Sequence, residues 1–211
     1  MRVAGIAIPD SAMANAASAA VIASEPEILY RHSLRVFLFS ALIGKHRRLS
    51  FDEELLYVAG LFHNIGLTAP YHDSSKRFEV DGANAVLEFL ASHRVPSAEI
   101  AEVWRAVALH TTFGINGEMS PLIALVGAGV ETDLLGMHFD EVSRAERDEI
   151  LREFPRDVGF KEQIIELFAQ AMGRRPATTF GTVNADVLDR CDPDYRRLNF
   201  CGLILGSAWD E

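Results

Sequence analysis

The segment Ser50-Phe51-Asp52-Glu53-Glu54-Leu55-Leu56-Tyr57-Val58-Ala59-Gly60-Leu61-Phe62-His63-Asn64-Ile65-Gly66 reads as one amphipathic helix. Ser50 and Glu53 have capping-box spacing, which marks a helix start. Leu55, Leu56, Val58, Ala59 and Phe62 supply the apolar face, and Gly66 marks the stop. The helix ends on a His-Asn pair set against large apolar residues.

The same signals recur on both sides. Ser24-Glu25-Pro26-Glu27 repeats the box spacing and predicts a helix to about Arg47. A polar loop with Pro70, His72 and Asp73 follows the His-Asn pair, and a third helix is predicted from Phe78 to His93. Pro96-Ser97 opens a fourth, to about Thr111, and Ser120-Pro121 a fifth, to about Gly136. Ser143 with Glu146 caps a sixth, Gly159 to Met172 is a seventh, and Thr182 to Asp192 a short eighth. The β-branched residues are scattered, and no period-2 stretch is long enough for a sheet. The expectation is an all-α, single-domain helical bundle. Residues 1–24 form an N-terminal extension with a short helix, 25–175 the bundle, and 176–211 a C-terminal segment that packs back through Phe200 and Leu203 to Leu205.

The 211 residues, at 23.3 kDa, suit one domain. A chain of this size buries roughly 70% of its unfolded surface, so it needs neither disulfide nor metal to form a core. The net charge of −10 argues against a general grip on nucleic acid, whose affinity comes from cationic contacts to phosphate. Cys191 and Cys201 have no CxxC spacing, which fits a reducing cytoplasmic compartment. No apolar run reaches the roughly 18 residues a membrane helix needs. Pro9, Asp10 and Asn15 interrupt the Ala-rich start, so no signal-peptide core forms. The expected partner is a small-molecule substrate, with neither nucleic acid nor membrane.

Seven histidines are spread along the chain. His46, in Gly-Lys-His-Arg-Arg, and His138, after Gly136, read as surface groups. His32, His63 and His110 lie in or at the end of amphipathic helices, beside apolar residues. A single core-facing His is more often packing than a ligand. Three on neighbouring helices of one small bundle point to a metal, because imidazole is the commonest protein ligand and bundle cores build such sites.

The order His32, then His63-Asn64 at a helix end, then His110 and Asp133, resembles the HD superfamily of metal-dependent hydrolases. Further stretches resemble its cyanamide hydratase-like branch. These are Ile8-Pro9-Asp10-Ser11, Glu25-Pro26, His32-Ser33-Leu34-Arg35-Val36, Leu61 to Leu67, Lys76 to Ala83, Ala108-Leu109-His110-Thr111-Thr112, and Ile123 to Asp133. The resemblance spans roughly residues 5 to 185 and implies a helical bundle holding one divalent metal ion. His32, His63, residue 64 and Asp133 would be its ligands. It is also compatible with a homo-oligomer, and the sequence leaves the oligomeric state open. Zn²⁺ suits the His-rich set, with Fe²⁺ and Mn²⁺ as alternatives.

Residue 64 is Asp in the family and Asn here. An amide oxygen still coordinates, but it carries no charge and is no base. Asn64 is therefore an introduced substitution, a natural departure in a weakened enzyme, or the sign of a reaction that does not need the carboxylate. Phe78 stands where two-metal members place a further His, which favours a mononuclear site. His110 is then a proton donor beside the metal or a fourth ligand, and Glu131 is the alternative to Asp133.

The loop after the His-Asn pair borders such a site. Asn64, Lys76, Glu79 and His110 are the catalytic candidates, and Asp81, Thr111, Thr112 and Phe78 the substrate-binding ones. The resemblance implies water addition across a C≡N bond, of the cyanamide or nitrile hydration type. A phosphohydrolase, using Lys76, Arg77 and Arg35 as cations, and a non-catalytic binding module with a decayed site are the alternatives.

Overall fold

A computed structural model describes residues 1–209. It is helical almost throughout. A two-residue hairpin, β1 (Arg2–Val3) and β2 (Ile6–Ala7), is joined by Ala4 and Gly5. Both turn residues have positive φ, the geometry that tight hairpins favour. Then come α1 (Ala12–Ser24), α2 (Glu27–His46), α3 (Glu53–Phe62), α4 (Phe78–Ser92) and α5 (Ser97–Leu109). They are followed by α6 (Pro121–Val130), α7 (Arg144–Glu153), α8 (Phe160–Gly173), α9 (Asn184–Cys191) and α10 (Phe200–Leu205). No helix of the described residues is long and apolar enough to cross a membrane.

The long helix α2 is the axis of the fold. It is buried from His32 to Gly44 and lies against α3 and α6, while α4 pairs with α5 and α8 with α9. Gly129 is what brings α6 so close. A Cβ there would stand 2.5 Å from the carbonyl oxygen of Val36. The apolar interior falls into two clusters. One runs through α1 to α6, and a smaller one joins Leu29 and Phe78 to Phe160, Ile164 and Phe168 of α8. The histidines lie along the seam between them.

The caps differ from the expected pattern in two places. Asp52, not Ser50, caps α3, its side chain accepting from the amides of Glu54 and Leu55. Ser24 is the last residue of α1, and α2 starts after Pro26 with no side-chain cap. Ser143 and Glu146 form the full reciprocal box. The C-terminal expectation fails in part. Ala185 and Leu188 are buried, but Phe200 is 69% and Leu205 84% exposed.

The junction of α1 and α2 buries Glu25 with no hydrogen-bond partner for either oxygen. Burial pushes its carboxyl up to about 8. The native state therefore keeps a proton that the unfolded chain loses near pH 4.5. Stability is lost as pH rises between these values. Glu25→Gln carries no proton to lose, so its Tm advantage over the parent is expected to be small near pH 5 and to grow towards pH 8. Thermal melts across that range check this; a difference independent of pH contradicts it.

Candidate metal centre and cavity

His63 and His110 are placed by the same local device. Each is the first residue past a helix, and each folds its ring back so that Nδ1 meets a carbonyl three residues earlier. His63 Nδ1 lies 2.7 Å from Gly60 O, and His110 Nδ1 lies 2.6 Å from Val107 O. A carbonyl only accepts, so Nδ1 carries the proton in both rings. His32, inside α2, turns its Nδ1 to Asp133 Oδ2 at 2.6 Å. Its Nδ1 is likewise the donor.

All three Nε2 atoms are therefore bare in the neutral rings. The rings stack edge to face in a row, His63 lying 5.1 Å from His32 and 4.9 Å from His110. His32 Nε2 and His63 Nε2 face each other at 3.2 Å. Two lone pairs at that distance repel unless a cation or proton lies between them. Two nitrogens bound at about 2.0–2.1 Å to one tetrahedral ion stand about 3.3–3.4 Å apart. Burial holds all three imidazoles below their usual range, that of His63 well below it, with its two neighbouring rings adding to the effect.

Asn64 is 1% exposed, and neither its Oδ1 nor its Nδ2 finds a partner. A buried amide left unpaired costs on the order of 1–3 kcal/mol. It sits beside His63 at the floor of the site. The two facing nitrogens and the orphaned amide fit a divalent cation as a neutral donor set.

Asp133 departs from the expected ligand set. After Val130 the helix widens into a π-turn over Glu131–Leu135, which Gly136 closes in the left-handed conformation. Such turns re-aim side chains at functional sites. Here the turn aims Asp133 at α2. Arg35 grips it through two bonds, Nε to Oδ1 at 2.8 Å and Nη2 to Oδ2 at 2.9 Å. The carboxylate thus backs His32 through Nδ1, on the side of the ring away from Nε2. Burial alone would raise its pKa, but His32 and Arg35 hold it well below the usual carboxylate range. Among the described residues no three His, Cys, Asp or Glu side chains form a metal-holding group. With Asp133 turned away, Asn64 would have to supply the third donor.

Above the floor opens a cavity of about 430 Å³. His63, Asn64, His110 and Thr111 line its base. Phe113, Val130, Leu134, Phe160, Ile164 and Phe168 form its walls, with Arg156, Lys161 and Asp186 towards solvent. Three of these wall residues come from α8, and Arg156 from the turn before it. They went unread in the sequence because an apolar helix face looks the same whether it packs or lines a pocket.

The remaining candidates lie elsewhere. Lys76 is exposed and does not line the cavity. Glu79 is buried behind the base, where Thr111 Oγ1 donates to it at 2.5 Å and Arg77 pairs with it at 3.2 Å. Burial would raise its pKa, but Arg77, His110 and Thr111 bring it below the usual value. Asp81 is spent in a buried ion pair with Arg175 at 2.5 Å. Phe78 is fully buried, edge-on to His110 and Phe168. Thr112 is half-buried outside the lining. Glu131 pairs with His138 at 2.8 Å, away from the histidine row. Arg35 and Arg77, the two arginines considered for a phosphate, are both engaged by carboxylates.

Arg175, unsuspected from the sequence, is 4% exposed. Besides Asp81 it donates to the carbonyls of Lys76 and Gly66. It thus ties the segment after α8 to the loop that leaves Asn64. Gly66 itself must be Gly, because a Cβ there would stand 2.0 Å from the carbonyl oxygen of Phe78.

Residues 29–128 match a family model described as the HD domain. No curated protein matches the chain. The matched stretch contains His32, His63, Asn64 and His110, while Asp133 lies five residues beyond it. HD domains are generally metal-dependent hydrolases. The order of the histidines, their convergence at one seam and the all-α architecture agree with that match, which covers just under half of the chain.

Proposed function

We propose that this HD domain holds one divalent metal ion and adds water to a small nitrogen-containing molecule, in a reaction of the cyanamide or nitrile hydration type. The facing Nε2 atoms of His32 and His63, beside the unpaired Asn64 amide, carry the reading. These three residues would hold the ion, with Zn²⁺ the best match to two imidazoles and Fe²⁺ or Mn²⁺ next. When bound, the ion supplies a positive charge that polarises a carbon–nitrogen multiple bond or acidifies a water molecule.

The protein's own groups do the rest. Asp133 fixes the tautomer of His32 and places one negative charge behind it, a carboxylate–histidine pairing common around metals. Burial disfavours the charged form of His110, and with Nδ1 bonded to Val107 O its Nε2 is left bare at the cavity base, where it can accept a proton from water. Glu79, close behind, stabilises the imidazolium that results. The apolar walls exclude bulk water and strengthen each of these charges.

Elemental analysis of the purified protein, loaded with Zn²⁺, Fe²⁺ or Mn²⁺ and desalted, tests the centre. The expected result is up to one ion per chain in the parent and none in His63→Ala. Metal retained equally by His63→Ala would place it elsewhere. No metal in the parent or in Asn64→Asp would sink the metalloenzyme reading and leave a binding module.

A further inference from the structure

We propose that the cavity takes an apolar-bodied monoanion, a medium-chain or aryl carboxylate that carries the reacting nitrile at its far end, with its charge at Arg156 and its body along Phe160, Ile164 and Phe168. The inference deepens the proposed function by naming its substrate class, and it rests on that cavity being the substrate site.

Arg156 is the uncommitted cation of the cavity wall. Among the described residues it makes no hydrogen bond or ion pair; Asp133 attracts it at longer range, but both oxygens of Asp133 are already bonded to Arg35 and His32. Its guanidinium lies over the Phe160 ring, 4.3 Å from the centroid, and is half-buried. The other charges nearby are already matched. Arg35 is held by Asp133. Asp186, at the rim, is held by Arg197 at 2.6 Å. Lys161 is exposed at the same mouth and adds a second, solvated positive charge. With no protein acceptor on its N–H groups, the guanidinium keeps an edge that matches the two oxygens of a carboxylate.

The body of the ligand follows from the walls. Phe160, Ile164 and Phe168 offer hydrocarbon and no hydrogen-bond partner. A cavity of 430 Å³ is in the size range of small-molecule sites. A nucleotide would bring several phosphate charges to one guanidinium and one exposed lysine, with Arg35 and Arg77 both spent. A single carboxylate on an apolar body balances the site. Its far end then reaches towards the polar base at His63 and Asn64.

Titration calorimetry on metal-free protein tests this, with octanoate, octanol and inorganic phosphate as probes. Octanoate is expected to bind, and octanol about tenfold or more weaker. In Arg156→Gln, octanoate weakens to the level of octanol, while a thermal melt confirms the fold. Octanol binding as tightly as octanoate, or octanoate unaffected by Arg156→Gln, overturns the anion assignment. Phosphate binding as tightly as octanoate overturns the apolar body. No octanoate binding at millimolar concentration overturns the class itself. Two measurements separate the readings: octanoate bound by the metal-free protein, with no nitrile or cyanamide hydrated by the metal-loaded protein, would sink the proposed reaction and leave the ligand class standing.

Discussion

Arg35→Met lowers stability by about 3–5 kcal/mol, the usual cost of removing one partner from a buried ion pair. For a chain of this size that is a fall in Tm of about 10 °C. The reason is local. Arg35 is fully buried, and its guanidinium spends two donors on Asp133 and further ones on the carbonyls of Phe154 and Pro155. Without it, Asp133 is a buried carboxylate with only His32 as partner. It must stay charged at a cost or take up a proton. The double variant Arg35→Met with Asp133→Asn removes both charges, so it is expected to recover much of the loss. Chemical denaturation of the two single variants and the double gives the coupling between them. A single-variant loss below about 1 kcal/mol, or strictly additive losses, would mean the pair is not what holds the π-turn to α2.

Asn64→Asp raises the rate of urea formation from cyanamide by about 10²- to 10⁴-fold, the range typically attributed to one general acid or base. Asn64 already occupies the position, buried and unpartnered, so the new carboxylate needs no rearrangement of its neighbours. It adds the negative charge that the two imidazoles and the amide lack. It also adds an acceptor beside any water held at the base. The assay follows urea against time at equal metal loading, so that retention and rate are separated. An unchanged rate with metal fully bound would show that the carboxylate is dispensable and that His110 alone accepts the proton. No urea from either protein would reject cyanamide as the substrate.

The helices were legible because each has a local cause. The Ser143 and Glu146 box, Pro121 after Ser120 and the left-handed Gly136 each act within a few residues, and the structure places helix ends at all three. Ser24 misled because its box spacing falls across two helices, and tertiary packing continues α1 through it. The three histidines were legible through their order and their apolar surroundings. The role of Asp133 was not. Its direction depends on a π-turn and on the bidentate grip of Arg35, and neither leaves a mark in residue spacing. Asp81 and Lys76 look like site residues in the sequence because they are titratable and close to the His-Asn pair. One is neutralised by an arginine 94 positions away, and the other points to solvent.

The Arg175 tie has a consequence for where this domain ends as a working unit. The stretch that matches the family stops at residue 128, yet Asp133, Arg156, α8 and Arg175 all lie beyond it. They supply the charge behind His32, most of one cavity wall, and the brace on the loop that follows Asn64. The matched part of the chain is thus a scaffold with half a pocket. Chemistry can diverge through the second half while the histidine row stays fixed, so two proteins sharing this scaffold need share no substrate.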